Sequence, residues 1–157
     1  MILDTNLVSA YLKQGAAEDG RRVFVARCLA DGSACISMVT KYELERGFQK
    51  VLYGGDDQAK RGAMKRLIEL KKFLESLPVF GLDGRMGEGW DIAARLWAAG
   101  RACKPSVVFE EADLLIAATA ALHGKTLATA ETKPAMRLLP ELASRARTTL
   151  RVEFVTA

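Results

Sequence analysis

The sequence predicts an α/β fold: a mainly parallel central sheet flanked by helices on both faces, formed as a single domain over residues 1–157. Two observations predict it. Short apolar segments of strand character alternate along the chain with longer segments of helical period. Half of the 157 residues are hydrophobic, and the charges are not blocked into long runs, which suits one compact domain able to bury its own core. No internal repeat, low-complexity segment or linker interrupts the alternation.

Ile2-Leu3 reads as the visible end of a short buried strand. Thr5 to about Lys13 follows as a helix, with Leu7, Ala10 and Tyr11 in the i, i+3, i+4 pattern. A second helix is expected from Glu18 to Ala30, stopped by Asp31-Gly32. Ser33 to Ser37 is the next strand, small and apolar, and Thr40 to Leu52 is helical again, ended by Gly54-Gly55. The longest periodic segment runs from Asp57 to Leu77. At helical spacing Leu67, Leu70, Phe73, Leu74 and Leu77 share one arc of about 120°, with Lys60, Arg61, Lys65, Lys71 and Lys72 on the other side. Val79-Phe80 is extended after Pro78, and a helix opens near Asp83 and reaches Ala102. A loop around Lys104-Pro105 leads to a helix headed by Glu111 or Asp113, then a strand from Lys125 to Thr129. Arg151 to Val155 alternates as an edge strand does.

Composition removes several classes of function. Cys28, Cys35 and Cys103 are odd in number, widely spaced and in no C-x-x-C pair, so they read as reduced, buried thiols. His123 is the single histidine, and the following Gly124 marks it as the last residue of a helix rather than a catalytic base. No run of about 18 apolar residues suits a bilayer, and the amino terminus has no secretory pattern, so a cytoplasmic protein with no membrane partner is expected. The net charge of +4 permits a polyanionic partner without requiring one.

Four acids gather where such a fold binds ligands, outside the carboxyl ends of the strands. Asp4 follows the first strand, Glu43 lies in the helix after the second, Asp113 opens an apolar helix, and Glu131 comes just after Thr129. Each has an ordinary alternative. Asp4 and Asp113 suit helix starts, Glu43 can pair with Arg46, and Glu131 lies near Lys133. Together they form a cluster of like charges that a cation would relieve. Oxygen donors without histidine or thiolate favour Mg²⁺ or Mn²⁺ over zinc, and such a site can activate water against a phosphodiester, which predicts a metal-dependent nuclease or phosphatase.

The segments ILDTN, SMVTKYELERG and ADLLIAATAALHGKTLAT together resemble PIN-domain proteins, and among them the bacterial VapC-type ribonuclease toxins of toxin–antitoxin pairs. The resemblance covers essentially the whole chain. Its most specific part is DLLIAATA, followed by a glycine and a short strand ending in threonine. It implies Asp4, Glu43 and Asp113 as metal-binding catalytic acids. It also implies a Thr-x-Asn/Asp element after the last strand; here that element reads Thr129-Ala130-Glu131, so Glu131 takes the fourth catalytic position with one extra methylene. The aromatic usual a few residues later is replaced by Ala135, and Glu110 and Glu111 add negative charge nearby. Thr5, Asn6 and Thr129 become candidates for positioning substrate, water or metal.

The activity implied is Mg²⁺- or Mn²⁺-dependent endonucleolytic cleavage of RNA, typically a structured RNA such as tRNA. A homodimer and a small antitoxin that occludes the acidic pocket are implied as well. The basic face between Lys60 and Lys72 is a candidate RNA contact, though an ordinary solvated helix face explains it equally. Three other readings compete. A haloacid-dehalogenase-like phosphatase also places an Asp after its first strand, but it needs a second acid where Asn6 stands. A PIN-like module could bind RNA or protein without cutting. A DNA-directed nuclease of the same fold would carry more acids and larger inserts.

Overall fold

The computed structural model describes residues 1–13, 19–130 and 133–156, and of Arg85 the backbone alone. Among the described residues five strands form one sheet: β1 (Ile2–Leu3), β2 (Cys35–Ser37), β3 (Val79–Phe80), β4 (Thr126–Thr129) and β5 (Arg151–Phe154). Their order is β3-β2-β1-β4-β5 and every pairing is parallel. The predicted fold class is therefore the observed one, and β5 lies at the sheet edge as its alternation suggests. The strand order reverses between β1 and β4. The crevice that such a reversal opens, beyond the carboxyl ends of those strands, is where this architecture holds its ligands.

The central strand β1 shows how the layers form. Ile2 and Leu3 are both fully buried, yet successive side chains of a strand point to opposite faces. Ile2 packs with Leu96, Ile116 and Leu139 on one side; Leu3 packs with Leu7, Leu67 and Leu70 on the other. The same alternation separates Cys35 from Ile36 and Leu127 from Ala128. Helices thus cover both faces, and burial of one Leu or Ile contributes about 1.5–3 kcal/mol.

The helices among the described residues are α1 (Thr5–Leu12), α2 (Gly20–Ala30), α3 (Met38–Gly54), α4 (Asp57–Glu75), α5 (Glu88–Arg101), α6 (Glu111–Leu122), α7 (Pro134–Arg137) and α8 (Leu139–Arg145). Several boundaries move from those expected. The second helix was expected from Glu18, which lies outside the described residues. The strand β2 begins at Cys35 rather than Ser33, because the backbone N–H groups of Ser33 and Ala34 both turn back to the Cys28 carbonyl. The helix expected from Thr40 begins at Met38, because Ser37 is its cap: the Ser37 hydroxyl accepts the Thr40 backbone N–H at 2.9 Å. The helix α4 stops at Glu75 rather than Leu77, closed by Ser76 and the approach of Pro78. A single 3₁₀ turn at Arg85–Gly87 precedes α5, so the helix expected from Asp83 starts later. Two short helices, α7 and α8, occupy a stretch for which no element was expected.

The expectations for the lone residues fare well. His123 is the C-cap of α6, and Gly124 follows it with φ +60°, a conformation that glycine adopts without strain. All three cysteines are free; Cys28 and Cys35 are buried as expected, whereas Cys103 is only partly buried. No helix among the described residues is long and apolar enough to cross a membrane.

Candidate metal-dependent nuclease site

Asp4 stands where β1 becomes α1. Its backbone N–H extends the ladder to the Ala128 carbonyl at 2.9 Å, and its side chain caps the helix, Oδ1 accepting the Thr5 backbone N–H at 2.7 Å. Asp4 is therefore a helix cap, a role that does not compete with one at the strand edge. Asp4 is only 4% exposed, and its second oxygen, Oδ2, accepts the Thr129 hydroxyl at 2.6 Å. A buried carboxylate is expensive unless hydrogen bonds replace its water, and these two do so.

A network of short polar side chains extends from there. Thr129, itself fully buried at the end of β4, receives the Asn6 side-chain amide at 3.4 Å. The Asn6 carbonyl oxygen in turn accepts the Ala130 backbone N–H at 3.1 Å, tying the first turn of α1 to the end of β4. Thr5 works in the other direction: its hydroxyl donates to Glu43 Oε2 at 2.6 Å. One residue thus binds Asp4 through its backbone and Glu43 through its side chain, which fixes the spacing of the two acids. Thr129 is wholly buried, and its hydroxyl bonds Asp4.

Glu43 sits in α3, with Arg46 Nη2 at 3.9 Å from its other oxygen, a distant and largely exposed partner. Asp113 lies in the first turn of α6, where an acid also complements the helix dipole. Asp4, Glu43 and Asp113 all line one open cavity of about 540 Å³. Thr5 and Asn6 line it too, and so does Glu110, whose carboxylate meets Lys133 Nζ at 2.5 Å. Glu131 lies outside the described residues, so the fourth expected acid has no described position.

The cations of this cavity differ from those the sequence suggests. Neither Lys60 nor the other basic residues on that face of α4 line it; Lys13, Arg21, Arg22 and Lys133 do. Asp19 caps α2 by accepting the Arg21 backbone N–H and also grips the Arg21 guanidinium, Nη2 lying 2.6 Å from Oδ2. That bond holds the Asp19 carboxyl below its ordinary range and raises the guanidinium in return. Arg22 donates to the Lys13 carbonyl, tying the start of α2 to the end of α1. In the sequence these arginines are ordinary first-turn residues of a helix. Only the adjacency of α1 and α2 reveals them.

The donor set fits a hard divalent cation, since the groups among the described lining residues that could ligate a metal are carboxylates and other oxygen donors, without histidine or thiolate. Among the described residues no three His, Cys, Asp or Glu side chains converge on one metal position. Such a set suits an ion that keeps several of its own waters, as Mg²⁺ does, better than a closed protein cage.

A profile of the PIN domain matches residues 1–137. The chain belongs to the PIN domain family. Solved structures agree in fold. A chain of the VapBC2 complex from Rickettsia felis bound to promoter DNA is 18% identical with a TM-score of 0.70, the match covering 98% of this chain and 96% of that one. A chain of DNA-bound VapBC from Salmonella typhimurium is 22% identical with a TM-score of 0.67, over 98% and 96%. A chain of FitAcB from Neisseria gonorrhoeae is 23% identical with a TM-score of 0.61, over 96% and 95%. At these identities the likeness is one of fold. No curated protein sequence matches the chain. Within the PIN frame, Asp4 and Asp113 stand at the end of the central strand and at the head of the helix α6 that precedes its neighbour β4.

Proposed function

We propose that this PIN protein is a Mg²⁺- or Mn²⁺-dependent endoribonuclease of the VapC type, the toxin of a toxin–antitoxin pair, with residues 1–157 acting as one nuclease unit. The observation that carries the reading is the meeting of Asp4, Glu43 and Asp113, from three distant stretches of sequence, on one cavity at the carboxyl edge of the sheet. Asp4, Asp113 and Glu43 would hold the metal, with Glu131 as the fourth catalytic acid. A bound divalent cation supplies an activated water and offsets the charge that grows on a phosphodiester during hydrolysis. The chain's own residues supply positioning. Thr129 and the Thr5 backbone hold Asp4, and the Thr5 hydroxyl holds Glu43, so the acids wait in a fixed arrangement. Asn6 supports Thr129 from α1.

The substrate would be a structured RNA such as tRNA, met in the cytoplasm. A small antitoxin would block the acidic cavity, in keeping with the complexes that VapBC and FitAB form. The active form would be a homodimer.

The test is cleavage of a labelled mixture of tRNA and messenger RNA by the purified protein, with Mg²⁺, with Mn²⁺ and with EDTA. Discrete cuts that EDTA and either Asp4→Asn or Asp113→Asn abolish are expected. RNA that binds but stays whole under every metal would replace this reading with that of a PIN module that does not cut.

A further inference from the structure

A polyanionic strand that enters a cleft of carboxylates is repelled until cations offset them, and one divalent ion offsets only part of that charge. The border of this cleft carries fixed cations on α2, and one of them is held unusually firmly. We infer that Arg21 is the phosphate-gripping residue of the cleft, binding a backbone phosphate of the RNA beside the bond that is cut. The inference rests on the ribonuclease reading and adds to it the residue that meets the substrate backbone.

The geometry carries it. Arg21 Nε donates to both oxygens of Asp19, at 2.9 and 3.1 Å, while Nη2 donates to Oδ2 at 2.6 Å. The same Asp19 carboxylate caps α2 through the Arg21 backbone, so it cannot swing away without uncapping the helix. This grip uses the Nε edge of the guanidinium. It leaves Nη1 and the second hydrogen of Nη2, donors suited to a phosphate, on a side chain 37% exposed and lining the cavity. An arginine already held in place loses little further freedom on binding. The cap accounts for Asp19, whereas an exposed ion pair alone contributes little, so the fold places no comparable demand on the Arg21 guanidinium.

The experiment measures binding of fluorescein-labelled bulk tRNA in EDTA by anisotropy, across a series of KCl concentrations, with the wild type, Arg21→Gln and Arg21→Lys. Arg21→Gln is expected to weaken binding about tenfold and to reduce the slope of log affinity against log salt by about 0.7–1, one phosphate contact. Arg21→Lys, which keeps the charge and the pair with Asp19, is expected to keep the slope and lose part of the affinity, because it has no planar fork. In Mg²⁺ the loss of kcat/KM in Arg21→Gln is expected to be carried by KM. Wild-type affinity and slope in Arg21→Gln overturn the inference, as does a loss confined to antitoxin binding. Should Arg21→Gln fail to fold, wild-type affinity in Arg21→Lys overturns it alone. A wild type that neither binds tRNA nor cuts tRNA or messenger RNA in Mg²⁺ or Mn²⁺ removes the ribonuclease reading as well, whereas a wild type that binds and cuts while both variants match it removes only the role of Arg21.

Discussion

The Thr129 hydroxyl meets Asp4 inside the protein, and a methyl group in its place would leave a buried carboxylate oxygen without that donor. Loss of such a partner costs about 1–3 kcal/mol. Thr129→Val should lower the urea midpoint at neutral pH and reduce RNA cleavage, while Thr129→Ser, which keeps the hydroxyl, should stay close to wild type in both. A valine variant as stable and as active as the wild type would show that other contacts suffice to hold Asp4. Asp19 gives a prediction in pH. Its folded pKa lies below the ordinary 3.8 because Arg21 stabilises the charged form. The stability it contributes is therefore fully present above about 3.8 and is lost as pH falls through the lower, folded value. Asp19→Asn should be less stable than wild type at neutral pH, and urea titrations below that point should show the gap closing. A gap that widens in acid would reverse the sign and remove the Arg21 bond as its cause. Asp4, Glu43 and Asp113 are legible in the sequence because each stands at a strand end or near a helix start, where alternation already fixes the geometry. Arg21 and Arg22 are not, since nothing local distinguishes them. The Lys60 to Lys72 face attracts notice through its period, but a period says which residues share a face and not what that face looks upon.

Gly89 and Gly47 separate two uses of glycine within helices. In α5 a Cβ at Gly89 would lie 2.5 Å from the Leu82 carbonyl oxygen and 2.9 Å from its Cα, backbone that cannot step aside. In α3 a Cβ at Gly47 would meet nothing within 4 Å. Gly89→Ala should therefore cost about 1–3 kcal/mol through overpacking, and Gly47→Ala should add about 0.5–1 kcal/mol through helix propensity. Thermal unfolding of the two variants checks both signs at once, and a destabilised Gly47→Ala would contradict the open space at that helix face. The same contrast explains which elements the sequence discloses. The helix α4 is recognisable because an apolar stripe repeats over several turns, and α6 because its run is apolar almost all round. The helices α7 and α8 are too short for a stripe to repeat, and their signals are the prolines Pro134 and Pro140 at the first turn of each. The start of α3 at Met38 was likewise marked by Ser37, a capping residue that reads equally well as the last residue of a strand.

Across the whole molecule the sheet divides the core in two. Leu96 belongs to one apolar cluster and Leu70 to the other, both almost wholly buried, with no shared neighbour among the clustered residues. Leu96→Ala and Leu70→Ala should each cost about 2–5 kcal/mol. Because they lie on opposite faces, the double variant should lose their sum to within about 0.5 kcal/mol, as denaturant unfolding can measure. A large excess over the sum would mean that the two layers communicate through the sheet. The parallel order and the placement of three acids at its carboxyl edge follow from alternation, whereas the pairing of β1 with β4 follows from no local signal. That pairing has a consequence for how the protein comes into being. The contact between Asp4 and Thr129 joins positions 125 residues apart, and β1 waits for β4 before its second edge is covered. Until β4 has been made, β1 has no partner on that side and Asp4 lacks the Thr129 hydroxyl. The acidic cavity can therefore take shape only after the chain has grown past Thr129, long after Asp4 itself has been made.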